Sequence, residues 1–148
     1  MTTMAQRNLL IGTWTLESWF NQADDGTRAY PFGQNPQGSI SDSNDGFVFV
    51  HMAKAKPAAF AAPNDPFGGS EAEDSAAFKS HLTSAGTYKH RGDQVVHSVT
   101  QSFCPYWVGT EQVRDVEFDG DLLRLSAKRI TIAGQVVDAF LEWRRAAA

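Results

Sequence analysis

The chain has 148 residues, of which 42% are hydrophobic, 11% aromatic and 20% charged; this suits one domain with a real core and leaves too little length for two. Thirteen Lys and Arg against 17 Asp and Glu give a net charge of −4, and no basic run is present, which argues against a nucleic-acid backbone or an anionic membrane surface as partner. The apolar stretch Asn8-Leu-Leu-Ile-Gly12 is far too short for a signal-peptide core or a membrane span, and the single Cys104 can form neither an internal disulfide nor a thiolate metal cluster. A cytoplasmic location is the expectation.

Along the chain, short apolar-polar alternations separated by glycine turns predict an antiparallel all-β domain. Strands are expected near 9–20, 38–42, 46–52, 86–91, 94–103, 109–118, 122–131 and 136–145. Between them Asp25-Gly26, Asp45-Gly46, Gly92-Asp93, Gly120-Asp121 and Gly134-Gln135 place glycine where a hairpin needs positive φ. About eight strands in a chain of this size point to a closed barrel or a sandwich. Residues 53–69 differ, because three prolines and many alanines make a long connection. Ser70-Glu-Ala-Glu73 then has the form of a capping box, with Phe78 and Leu82 four apart on one helical face and Gly86 able to end the segment. A helix over roughly 71–83 is expected to cover one mouth of the barrel, as a lid or a plug.

Several segments in order then carry a resemblance. Leu10-Ile-Gly-Thr-Trp14, Tyr30-Pro-Phe-Gly33, Ala85-Gly-Thr-Tyr88, His97-Ser98, the run Pro105-Tyr-Trp-Val-Gly-Thr-Glu-Gln-Val-Arg114 and Trp143-Arg-Arg145 resemble the bacterial and fungal lipocalin-like domain family nearly end to end. The resemblance implies a small up-and-down β-barrel with a central cavity. It also implies that Trp14 closes one end of the barrel and stacks with an arginine from Arg144-Arg145. Gly38-Ser-Ile-Ser-Asp42 and Cys104 depart from the family pattern, and both changes are expected to reshape the cavity.

Period two along the strands sorts side chains between lumen and exterior. Val95, His97, Val99, Gln101 and Phe103 form the more apolar register of their strand, and Gln112, Arg114, Val116 and Phe118 the less acidic register of the next. Both sets are expected inward. Tyr88 with His90, the set Phe47, Phe49 and His51, and the set Trp14, Leu16, Ser18 and Phe20 would add aromatic wall, with Phe140 from the last strand. His97 is the candidate acid-base or ligand-contacting group, weighed evenly against a satisfied network with Tyr88 or Gln101. Arg114 is the candidate for an internal pair with Glu142, slightly preferred, or for an anionic or carbonyl oxygen of a ligand. The Tyr88 hydroxyl is a third polar candidate. His81 and His90 are expected in solvent.

No zinc or iron motif, nucleophile elbow, phosphate loop or dinucleotide fingerprint is present. No metal or cofactor is expected, and haem is disfavoured because no histidine follows His97. Three functions remain. The first is a barrel binding a small hydrophobic molecule, with His97, Arg114 and Tyr88 orienting its polar end and Phe20, Phe49, His51, Val99, Gln101, Phe103, Gln112, Phe118 and Phe140 around it. The second is a cofactor-free isomerase, cyclase or lyase acting on a polyketide- or terpenoid-like substrate, a setting implied by the resemblance, with His97 moving the proton and Arg114 and Tyr88 stabilising an enolate. The third is a filled barrel acting as an interaction domain, with a homodimer contact through outward Trp19 and Trp107.

Overall fold

The structure is a computed structural model that describes residues 9–147. Nine strands are present among them: β1 (Gly12–Gln22), the two-residue β2 (Arg28–Ala29), β3 (Gln37–Asp42), β4 (Phe47–Ala53), β5 (His81–Arg91), β6 (Gln94–Ser102), β7 (Glu111–Asp119), β8 (Leu122–Ile132) and β9 (Gln135–Arg145). Each pairs antiparallel with its neighbour, and β9 returns to pair with β1 from Trp14↔Arg145 to Gln22↔Asp138. The ring of β1 and β3 to β9 is a closed eight-stranded barrel, so these strands leave no open edge. No helix among the described residues is long and apolar enough to cross a membrane.

One helix, α1 (Glu71–Lys79), follows the long connection. Ser70 accepts from the Glu73 amide and Glu73 accepts from the Ser70 amide, the expected capping box. The second Glu73 oxygen also accepts from the Ala61 amide, tying the connection to the helix start. The expected helix over 71–83 overran its end: Ser80 caps it, and His81 to Ala85 already belong to β5. Leu82 therefore packs against the barrel core, while Phe78 stays half-exposed. Gly86 ends no helix; it lies inside β5, where a Cβ would stand 1.9 Å from the Ser98 carbonyl oxygen.

That close approach accompanies a bulge. Gly86 pairs with Val99 and Ala85 with Gln101, so Thr100 is an extra residue in β6. Similar irregularities interrupt β1 between Leu16 and Ser18 and β8 between Ala127 and Ile130. Each extra residue reverses which register faces inward beyond it.

The core is contiguous and runs from Leu10 and Trp14 through Ile40, Val48, Met52 and Val95 to Leu123 and Trp143. Trp14 seals one end. Its indole N–H donates to the Leu10 carbonyl at 3.1 Å, and the Arg145 guanidinium lies 4.0 Å from its ring centroid. Arg145 also donates to the carbonyls of Ile11 and Leu9. Gly12, at φ +125°, gives Arg145 room, since a Cβ there would sit 3.3 Å from its Nη1. The implied tryptophan-arginine stack is thus Trp14 with Arg145, while Arg144 turns outward to Glu17.

Two stability outcomes follow from this packing. Gly86→Ala is expected to cost about 3 kcal/mol or more in urea unfolding, because strand backbone rather than a mobile side chain must move. A loss below about 0.5 kcal/mol would show that the β5–β6 bulge absorbs the methyl group. Arg145→Met should lower stability by about 2 kcal/mol through the lost stacking and carbonyl bonds, whereas Arg144→Met should leave the unfolding midpoint near wild type. Equal effects would mean that the plug contributes nothing special.

Candidate functional site

Inside the barrel lies a cavity of about 140 Å³. Its apolar wall includes Ile40, Met52, Leu125 and Leu141, and its polar groups include His97, Gln112 and Arg114. Among the described residues, no Asp or Glu lines it. A mostly apolar concavity with a few converging polar groups is the usual form of a small-molecule site.

β6 and β7 lie side by side with His97 opposite Gln112 and Val95 opposite Arg114, so one patch of wall carries His97, Gln112 and Arg114, whereas Tyr88, Gln101 and His51 do not line the cavity. Arg114 donates to the Gln112 side-chain oxygen at 3.0 Å and to the Val113 carbonyl at 2.9 Å. Gln112 in turn donates to the Thr110 hydroxyl at 3.0 Å. Among the described residues Arg114 has no carboxylate partner. The preferred pairing with Glu142 is not formed: Glu142 binds Arg124 and accepts from Ser18. Burial depresses the Arg114 pKa, the direction expected for a cation withdrawn from water.

His97 is buried, and Gln101, one of its expected partners, is turned to the outer face by the β6 bulge. Burial first, and the Arg114 charge second, push its pKa down to about 4, so the ring is neutral near pH 7. The Tyr88 hydroxyl instead donates to the Ser43 carbonyl at 2.8 Å, at the β3–β4 turn. Tyr88 belongs to the core and does not line the cavity.

The remaining expected contacts divide. Val99 and Gln112 line the cavity. Phe118 faces inward but packs against Trp14 and His90. His90, expected in solvent, has buried ring nitrogens. His81 is partly buried as well and meets His51 edge-on at 5.6 Å. Phe49 and His51 point out of the barrel, because β4 turns Val48, Val50 and Met52 inward. They border a shallow outer depression together with Gln101, which the β6 bulge has turned out. Phe103 sits beyond the same bulge and packs between Phe78 of α1 and Trp107, with centroids at 5.1 and 5.6 Å. Phe20, beyond the β1 bulge, stacks outside the barrel on Phe140 at 5.1 Å, and Arg28 and Lys128 lie over this pair.

The bulge in β1 also brings Trp19 inward, against Phe32 at 4.9 Å and into the cavity wall. Trp107, in the short 3-10 turn Pro105–Trp107, lines the cavity as well. Trp19 is therefore buried and not outward, whereas Trp107 is half-buried. Trp143 was missed as a lining residue; it is 1% exposed, and its indole N–H has no acceptor among the described residues. Its register with Leu16 and Leu123, both on core-facing positions, was the available signal. Of the two departures from the family pattern, the β3 segment contributes Ile40 to the cavity, whereas Cys104 does not line it.

Asp42 is a second buried ionisable group, 2% exposed, outside the cavity lining, and with one carboxyl oxygen lacking a partner. Burial raises its pKa from 3.8 to about 7. A raised carboxyl pKa favours the folded state at low pH, and that advantage is lost as pH rises from 3.8 through 7. A depressed histidine pKa acts oppositely, penalising the folded state as pH falls from 6.5 towards 4. The two slopes oppose between about pH 4 and 6.5, so wild-type stability should change little there. Asp42→Asn should instead lose up to about 3 kcal/mol on acidification across that range, and His97→Gln should gain stability. Denaturant unfolding at stepped pH checks this, and parallel curves for all three proteins would refute it.

The comparisons agree with the barrel and its cavity. Residues 11–146 match the model of the lipocalin-like domain. A 53-residue stretch is 42% identical to the 4'-hydroxy-3'-methoxypropiophenone carrier protein ppsC of Aspergillus oryzae, covering 35% of this chain and 48% of that protein. The match thus spans about half the length of that curated relative. No solved structure matches. With its family match covering nearly the whole barrel, from the strand carrying Trp14 to the strand carrying Arg145, this chain belongs to the lipocalin-like domain family.

Proposed function

We propose that this barrel is a carrier for a small, largely apolar molecule of about one aromatic ring, held with its polar end at Arg114, Gln112 and His97. The observation that carries this reading is the cavity itself: about 140 Å³, lined mainly by apolar and aromatic side chains, with polar groups gathered on β6 and β7. A dry apolar cavity of about 150 Å³ is large enough for benzene, so a single ring fits and a longer substituent would reach towards the mouth. The relative from Aspergillus oryzae is named as a carrier of a one-ring propiophenone, which is consistent in size and in role.

The arrangement supports holding over acid-base conversion. A histidine with a pKa near 4 is a weak base at neutral pH, and the Tyr88 hydroxyl is committed to the Ser43 carbonyl. Of the trio expected for isomerase, cyclase or lyase chemistry, His97 and Arg114 share the cavity wall, while the Tyr88 hydroxyl is turned to the Ser43 carbonyl.

Trp19, Trp107 and Trp143 line the cavity, so intrinsic fluorescence reports on its contents. Titration with 4'-hydroxy-3'-methoxypropiophenone and with single-ring and multi-ring lipophiles should give saturable quenching for the single-ring compounds, with the ligand recovered unchanged. Leu125→Trp, which fills the lumen, should weaken binding by about tenfold or more. Absence of saturable quenching by every single-ring compound would overturn the carrier reading, and conversion of the ligand during incubation would replace it with the enzymatic one.

A further inference from the structure

We infer that the cavity selects its ligand as an oxyanion: the bound molecule is an ionised single-ring acid whose negative oxygen is the missing counter-charge of Arg114. This rests on the carrier reading and specifies the ligand's chemistry.

Three observations converge. First, Arg114 is a lumen cation with no carboxylate partner among the described residues, and no Asp or Glu lines the cavity. Burying an unpaired guanidinium is costly, and an anion arriving with the ligand would recover that cost. Second, Arg114 uses two donors on Gln112 and Val113, out of the five that a guanidinium carries. Those bonds fix the side chain at two points while leaving donors for a guest. Third, Trp143 lines the same cavity, and its buried indole N–H lacks an acceptor among the described residues. A ligand with an oxyanion and a second acceptor, such as a nitro or carbonyl oxygen, matches both.

The neighbouring groups do not offset the charge. His97 is neutral near pH 7 and can donate or accept one bond. Gln112, Ser84 and Thr131 are neutral, and the rest of the lining is aliphatic or indole. The chain as a whole carries −4, so the preference for an anion comes from the lumen and runs against the average surface field.

The test uses 4-nitrophenol, whose anion is coloured and whose neutral form is not, beside its uncharged analogue 4-nitroanisole. At a pH about one unit below the free phenol's midpoint, adding protein should raise the phenolate absorbance as tryptophan fluorescence falls. 4-Nitrophenol should bind about tenfold or more tightly than 4-nitroanisole, a midpoint lowered by about one unit. Arg114→Gln should bring the two within about threefold and abolish the colour change, while Arg114→Lys, which keeps the charge, should retain it. Benzoate should displace the phenolate better than benzamide does. If benzoate outcompetes benzamide but 4-nitrophenol gives no colour change, the oxyanion is a carboxylate. Equal binding of both members of each pair overturns the proposal while leaving the carrier reading intact. Quenching by none of the four compounds overturns the carrier reading itself.

Discussion

An eight-stranded ring of backbone has two mouths, and it becomes a container only when one of them is sealed without consuming the interior. Trp14 and Arg145 meet that requirement here. The indole is fully buried and bonded to Leu10, and the guanidinium covers its face while binding the carbonyls of Leu9 and Ile11. Trp14 comes from the first strand and Arg145 from the last, and the two are register partners. One contact therefore seals an end and pins the strands whose pairing closes the sheet. The sealed end helps keep water from the interior, where burial holds His97 neutral.

The charge distribution is divided by the wall. Acidic side chains that meet arginines do so outside, as Glu142 does with Arg124 and Glu17 with Arg144. Inside, the described residues give the cavity wall a cation and several neutral donors but no anion. Asp42, the one deeply buried carboxyl among the described residues, is held apart from that lining and is pushed towards its protonated form. Such a separation means that the lumen's preference is set by what was left out of the wall as much as by what was put there.

Glycine turns, strand alternation and the capping box made most of the fold legible, since each is a local signal read over a few residues. The site was legible only in part. His97, Val99, Gln112 and Arg114 were found because β6 and β7 keep strict alternation through those positions. Gln101 and Phe20 were misplaced because each follows a bulge, and a bulge reverses inside and outside without a sequence signal as clear as a hairpin glycine. Phe49 and His51 were misplaced for a different reason: both registers of β4 are apolar, and aromatic content favoured the wrong one. Gly86, read as a helix terminus, marks instead the close approach of β5 to β6. The expected Arg114–Glu142 pair depended on a tertiary arrangement that alternation alone does not specify.

The seam between β1 and β9 is dressed on both sides, with Leu16 and Trp143 on core-facing positions and the Phe20–Phe140 stack outside under Arg28 and Lys128. Its partners are distant in sequence, as the bond from the Thr15 hydroxyl to the Arg144 carbonyl illustrates. During synthesis the β1–β3 pairing and the hairpins from β3 to β8 can form as they emerge, but the other edge of β1 must wait for its partner until the last strand has left the ribosome. The nascent chain therefore passes through a stage in which an almost finished sheet has two free edges, and the final strand acts as the closing stave.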